Sequence, residues 1–245
     1  MTYPYSTTGP IGTAARLGLI VLQADETIEH DFRRMFPVNG VSLLTTRVPS
    51  GLEVTNDTLS EMEGHLTDAA SLFPTAAEFD AVAYACTSGT AVIGVDNIAA
   101  QVRRGCKTQK VTEPVSALIA ACHELGISRL GLLSPYVRDV SESLRMVLDQ
   151  AGIVTPAFGS FDEAEEAKVA RIDGPSIIAA ACDIAAQGGI DALFLSCTNL
   201  RTLDVISEIE GRTGLPVLSS NQVLAWHLAK LTDIRLAGHF GRLTA

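Results

Sequence analysis

Positive charge is scarce in this chain. Its 245 residues hold 18 lysines and arginines against 28 aspartates and glutamates, a formal net charge of −10. A nucleic-acid surface needs clustered Lys and Arg, so that class of partner is excluded. An anionic substrate is not excluded, because the local field of a cleft can oppose the net charge. Long apolar runs are missing too. No stretch approaches the ~18 apolar residues that span a bilayer, and no membrane partner is expected. The opening MTYPYSTTGPIGTAARLGLIVL has no basic segment leading into a long apolar one. Ser, Thr, Gly and Pro dominate its start, which predicts a flexible arm over residues 1–15 rather than a signal peptide. The five cysteines form neither a CxxC pair nor a zinc-knuckle spacing, which fits a reducing, cytoplasmic compartment. HxxxH and HExxH are absent and the carboxylates are not grouped as ligands, so no metal is expected. There is no GxGxxG, and the Gly89 to Gly94 run lacks the lysine of a phosphate loop.

What is present is a strand–helix alternation that runs twice. Leu17–Leu22 is near-continuously apolar, as a strand covered on both faces is. Helix at Glu29–Met35, strand at Val41–Val48, helix at Asn56–Leu72 and strand at Phe79–Ala85 come next. A helix from about Thr90, a short strand at Val111 and a helix at Ser116–Leu125 complete the first round. Arg129–Leu133 (RLGLL) then echoes Arg16–Ile20 (RLGLI). Helices at Val140–Ala151, Pro175–Gln187 and Leu203–Thr213, with strands at Val154–Phe158, Ile190–Ser196 and Val217–Leu218, form the second round, ahead of a last helix at Asn221–Leu231. Such alternation predicts an α/β protein of two doubly wound, parallel four-stranded halves. The expected division is 16–118 plus about 221–245 for the first half and 119–220 for the second. Ligands bind such sheets beyond the carboxyl ends of the strands, so the cleft between the halves is the expected site.

Two cysteines occupy matched frames in these rounds: F-D-A-V-A-Y-A-Cys86-T-S-G and I-D-A-L-F-L-S-Cys197-T-N-L, 111 residues apart. A lone free cysteine is ordinarily small core filler, and Cys122 and Cys182, in Ala-rich helical stretches, read that way. Cys106 reads as an incidental thiol in the R-R-G-C-K loop. Cys86 and Cys197 differ because each stands at a strand-to-helix junction and precedes a threonine. A helix N-terminus is expected to lower a thiol's pKa and to cradle a carboxylate. Thr87, Ser88, Thr198 and Asn199 add donors, and Gln23, Asp25 and Tyr136 lie at other strand ends. Two opposed thiols can take a proton from one face of a carbon and return one to the other. One can equally add to an activated alkene. The acidic run Asp162–Glu166 reads as a solvated loop and helix start.

The Y-A-Cys86-T-S and L-S-Cys197-T-N frames, the L-G-L-I-V-L strand before Q-A-D-E-T, and the tail L-P-V-L-S-S-N-Q-V-L-A-W resemble the aspartate/glutamate racemase superfamily. Within it, the chain is most similar to the maleate cis–trans isomerase and arylmalonate decarboxylase branch. V-L-Q-A-D-E-T-I-E-H-D-F-R-R-M and S-C-T-N-L-R look like its ectoine-utilisation proteins. The resemblance covers residues 16–231. It implies two pseudo-symmetric flavodoxin-like halves and cofactor-independent chemistry on a small carboxylate or amino-acid substrate. It also implies catalytic thiols at Cys86 and Cys197, a carboxylate-binding tyrosine at Tyr136, and anion contacts from Thr87, Ser88, Thr198 and Asn199. A racemase and a maleate-type isomerase are both compatible; an arylmalonate-type decarboxylase and a non-catalytic binding protein are the alternatives. Arylmalonate decarboxylases carry only the second cysteine, whereas this chain has both. Maleate isomerases typically have Asn where this chain has Asp25, a carboxylate that would repel a dicarboxylate or pair with a substrate amine. A homodimer is compatible with an acidic two-lobed enzyme of this kind.

Overall fold

The computed structural model describes residues 1–37 and 39–245. The first round of the chain gives β1 (Ala15–Leu22), α1 (Ile28–Met35), β2 (Val41–Val48), α2 (Asn56–Glu61), α3 (Leu66–Ser71), β3 (Glu78–Phe79), β4 (Ala81–Ala85), α4 (Thr87–Ile93), α5 (Val95–Gly105), β5 (Lys107–Thr108), β6 (Val111–Thr112) and α6 (Pro114–Leu125). The second gives β7 (Arg129–Ser134), α7 (Arg138–Gln150), β8 (Val154–Ser160), α8 (Glu166–Val169), α9 (Gly174–Ala186), β9 (Ala192–Leu195), α10 (Ile206–Thr213), β10 (Val217–Ser219) and α11 (Ser220–Thr232). Two four-stranded sheets result, ordered β2-β1-β4-β6 and β8-β7-β9-β10, with every pairing parallel. The two orders are the same topology written twice. The central strands β4 and β9 are buried along their whole length, as strands covered by helices on both faces must be.

The repeated letters have physical jobs. In each half an aspartate just ahead of the third strand closes onto the start of the first. Asp80 Oδ2 accepts from Arg16 N at 2.8 Å, and Asp191 Oδ2 accepts from Arg129 N at 2.9 Å. The glycine of each RLGL stretch admits a neighbouring side chain against the sheet. A Cβ on Gly18 would meet Phe73 and Val82 at 3.0–3.1 Å, and one on Gly131 would meet Ile190, Ile184 and Leu193 at 2.7–2.9 Å.

Two expected elements are divided. The 56–72 helix is three pieces, with a 3₁₀ turn at Met62–His65 between α2 and α3; Gly64, a weak helix former, sits in that turn. The 79–85 strand breaks at Asp80, whose backbone N–H donates to Arg16 O, so β3 pairs with β5 outside the main sheet.

α11 leaves the end of β10, held by a capping box between Ser219 and Gln222. It packs on β4, α6 and α1, and so carries the second sheet's last strand end across to the first. Asn221 Nδ2 donates to Asp31 Oδ2 at 2.8 Å. Asp31 is buried, and desolvation outweighs that bond, pushing its carboxyl up from 3.8 to about 6. A raised carboxyl holds its proton more tightly folded than unfolded. Its contribution is therefore fully present below the unfolded value and is lost as pH rises through about 6. Asp31→Asn is expected to raise unfolding free energy near pH 7 by about 1–3 kcal/mol and to change little near pH 4. Urea unfolding at both pH values checks this, and an equal gain at both would contradict it.

Candidate active site

The ends of β1, β4, β7 and β9 meet around a tight cavity of about 10 Å³. Cys86, Thr87, Ser88, Asp25, Tyr136, Cys197, Thr198 and Asn199 line it, with Leu22, Val54, Leu59 and Glu166. Eight of the nine residues expected at the site are thus brought together. Gln23 is not: its side chain is exposed and outside the lining. Its backbone is spent holding the turn, with its N–H donating to Val48 O and its carbonyl accepting from Arg47. The segment after β2 straps across the opening, Val54 N donating to Ala164 O and Glu166 N to Leu52 O. Val54 and Leu59 thereby form an apolar wall.

Cys86 caps α4 and its Sγ accepts from Gly89 N at 3.1 Å. Gly89 is required there: a Cβ would lie 2.6 Å from Tyr84 Oη and 2.9 Å from Cys86 Sγ. Cys197 differs from the expectation. The helix after it begins only at Ile206, and Cys197 itself has φ +98°, a left-handed backbone costly for any residue with a Cβ. The intervening loop ties the halves together instead. Asn199 Oδ1 accepts from Glu26 N at 2.8 Å, and its carbonyl accepts from Thr27 Oγ1 at 2.8 Å. Cys197 N donates to Ser220 Oγ at 3.0 Å, and that hydroxyl also meets Thr87 Oγ1 at 2.8 Å. Ser220 therefore joins the two cysteine loops.

The thiols are not acidified. Burial pushes Cys86 up to about 12 despite the Gly89 amide, with Glu166 and Asp25 adding repulsion. Cys197 is pushed well above the ordinary thiol range by burial and then by Glu166. The expectation of a lowered pKa at each helix start is overturned: Cys197 has no helix behind it, and at Cys86 desolvation wins. Both rest as neutral thiols.

Glu166 is not the solvated residue that its acidic run predicts: it is only 3% exposed and faces the cavity. Its Oε1 accepts from Tyr136 Oη at 2.8 Å and its Oε2 from Asn199 Nδ2 at 2.7 Å. Burial raises its pKa, those two bonds lower it, and the Asp25 charge raises it further. In the sequence it is the fifth letter of D-E-A-E-E, indistinguishable from its solvated neighbours. Ser220, within S-S-N-Q, likewise reads only as a helix start. Asp25 Oδ1 accepts from Thr27 N at 2.8 Å and Ile28 N at 2.9 Å, while its buried Oδ2 has no partner. The Thr198 hydroxyl lies beside Asp25 but donates to Ala85 O at 3.3 Å. Desolvation raises the Asp25 pKa against these backbone bonds. No lysine or arginine lines the cavity among the described residues.

The family profile for arylmalonate decarboxylase matches residues 18–243. The chain belongs to that family. A maleate isomerase of Nocardia farcinica is 25% identical over 239 residues, covering 91% of this chain and 92% of that one. The arylmalonate decarboxylase of Bordetella bronchiseptica is 31% identical over 117 residues, covering 47% and 49%. A mutant of the Nocardia farcinica maleate cis–trans isomerase, solved with a covalently bound succinylcysteine intermediate, superposes with TM-score 0.80 over 94% of this chain and 98% of that one, at 24% identity. That last likeness is one of fold: two pseudo-symmetric flavodoxin-like halves with parallel sheets. Arylmalonate decarboxylase family members thus include both isomerases and decarboxylases among this chain's relatives.

Proposed function

We propose that this member of the family is a cofactor-independent isomerase acting on a small carboxylate or amino acid through Cys86 and Cys197. The observation that carries the reading is the convergence of two thiols on one small cavity from equivalent strand ends. A single-thiol decarboxylase has no use for the second. The maleate isomerase relative, matched along nearly the whole chain, supports the isomerase class. Between isomerisations, the two buried acids favour stereoinversion of an amino acid over reaction of a dianion. Asp25 offers an ammonium an unpartnered acceptor, Glu166 adds a second negative charge, and no cation in the lining offsets them for a dicarboxylate. One thiolate takes the α-proton and the opposite thiol returns one to the other face.

The test is incubation in D₂O with single enantiomers of small amino and diamino acids, including those of ectoine breakdown, and separately with maleate. Deuterium at the α-carbon with loss of optical purity is expected, monitored by NMR and chiral chromatography. Fumarate from maleate would instead point to thiol addition across the double bond. Release of CO₂ from an arylmalonate, with no exchange in any amino acid, would replace the isomerase reading with the decarboxylase.

A further inference from the structure

The two thiols are not equivalent, because only one is wired to an acid. Cys197 Sγ lies 2.9 Å from Tyr136 Oη, which lies 2.8 Å from Glu166 Oε1. We propose that Glu166 is a positioning residue that withdraws the Cys197 proton through Tyr136, making Cys197 the base of the pair. In the resting arrangement Tyr136 donates to the Glu166 carboxylate and the Cys197 thiol donates to Tyr136. When both bonds reverse, the S–H proton passes to the Tyr136 oxygen as the Tyr136 proton passes to Glu166 Oε1. A thiolate, a neutral phenol and a carboxylic acid result, with no proton lost and no charge added.

Charge conservation is what makes the route favourable. A thiolate formed by losing its proton to solvent would add a negative charge to a buried cavity already holding Asp25 and Glu166, at full desolvation cost. Internal transfer only moves one charge along a hydrogen-bonded chain. Glu166 is held in place for this transfer, since Asn199 Nδ2 binds its second oxygen and its own N–H is tied to Leu52 O. The titratable groups facing Cys197 are Tyr136 from the β7–α7 loop, Glu166 from α8, Asp25 from the β1–α1 loop and Cys86 at the end of β4. Cys86 has no such wire. Its neighbouring phenol, Tyr84, bonds the Cys86 thiol but otherwise meets only the thioether of Met62 at 3.9 Å, with no acid beyond it. Cys86 is thereby left as the proton donor of the pair.

The role assignment rests on and extends the two-thiol isomerase reading, yet its test needs no substrate. The free protein is alkylated with iodoacetamide from roughly pH 6 to 9 and each cysteine's rate is measured by peptide mass spectrometry. In the parent, the Cys197 rate is expected to be nearly flat over this range. In Glu166→Gln it should fall at least tenfold near pH 7 and climb with hydroxide, while Cys86, relieved of the Glu166 charge, should react as fast as before or faster. Tyr136→Phe, which cuts the wire without touching the acid, should slow Cys197 in the same way. Simple repulsion between Glu166 and a Cys197 thiolate predicts the opposite sign, a faster reaction once the charge is removed. An unchanged or faster Cys197 in Glu166→Gln, or an equal loss at Cys86, overturns the relay. Neither result depends on which substrate the isomerase uses, so relay and isomerase can fail separately.

Discussion

Cys197→Ala should lower turnover of the substrate found by deuterium exchange by roughly 10²–10⁴-fold, and Cys86→Ala by a comparable factor. Two-base isomerisation needs both thiols within one cycle, one to remove the proton and one to supply it. Once either is gone the remaining group has no partner, so the double variant should be little worse than the poorer single. Direction adds a sharper outcome. With Cys197 as base for one enantiomer, Cys86→Ala should still permit exchange of that enantiomer's α-proton while blocking inversion. Cys197→Ala should block that exchange as well. Both side chains are small and enclosed, and removing a thiol costs stability on the scale of a small cavity. Thermal unfolding should therefore remain cooperative in each variant, which separates loss of chemistry from loss of fold. Full activity in Cys86→Ala would end the two-thiol reading and return the chain to single-thiol decarboxylase chemistry.

Much of the framework is legible in the sequence because it repeats. The apolar runs at Leu17–Leu22 and Phe79–Ala85 reappear at Arg129–Leu133 and Ile190–Ser196, and strands buried on both faces leave that mark wherever they occur. The cysteine frames are legible for the same reason, since a residue ending a central strand faces the cleft regardless of the next element. The conformation beyond each cysteine is not legible. Nothing in Cys197-T-N-L says that Asn199 will spend its amide on Glu26 and Glu166 and its carbonyl on Thr27, the contacts that turn an expected helix start into a loop. Glu166 is hidden in its acidic run because its burial comes from the other half of the chain. The Leu52–Val54 strap that encloses it lies more than a hundred residues earlier. The thiol pKa values are misjudged from sequence for a related reason: the letters display the local helix start but not the desolvation that outweighs it.

Asp25→Asn should reverse the charge preference of the site. Asp25 is a buried acid with one oxygen bound by Thr27 and Ile28 amides and the other unpartnered. Arg47 donates to the Asp25 carbonyl rather than to its carboxylate. An unpaired buried acceptor costs free energy in the unliganded protein, and a substrate ammonium supplies the missing donor. Asparagine keeps an oxygen for the Thr27 and Ile28 amides and turns an N–H₂ toward the cavity, so an acceptor becomes a donor. Binding of the amino-acid substrate should weaken on the order of 10²-fold, appearing in KM more than in kcat because Asp25 is not one of the proton-transferring groups. Maleate, expected to bind the parent poorly, should become a measurable competitor, since one negative charge facing it is replaced by an N–H₂ donor. The unliganded variant should also be more stable near pH 7. Burial raises the folded-state pKa of Asp25, so its contribution to stability is lost as pH rises above the unfolded carboxyl value through the raised one, and the gain should vanish in acid. Competition assays with both ligand classes, and urea unfolding at two pH values, read these effects. An Asp25→Asn protein that binds the amine as before and still rejects maleate would mean that the Asp25 carboxylate does not select the substrate.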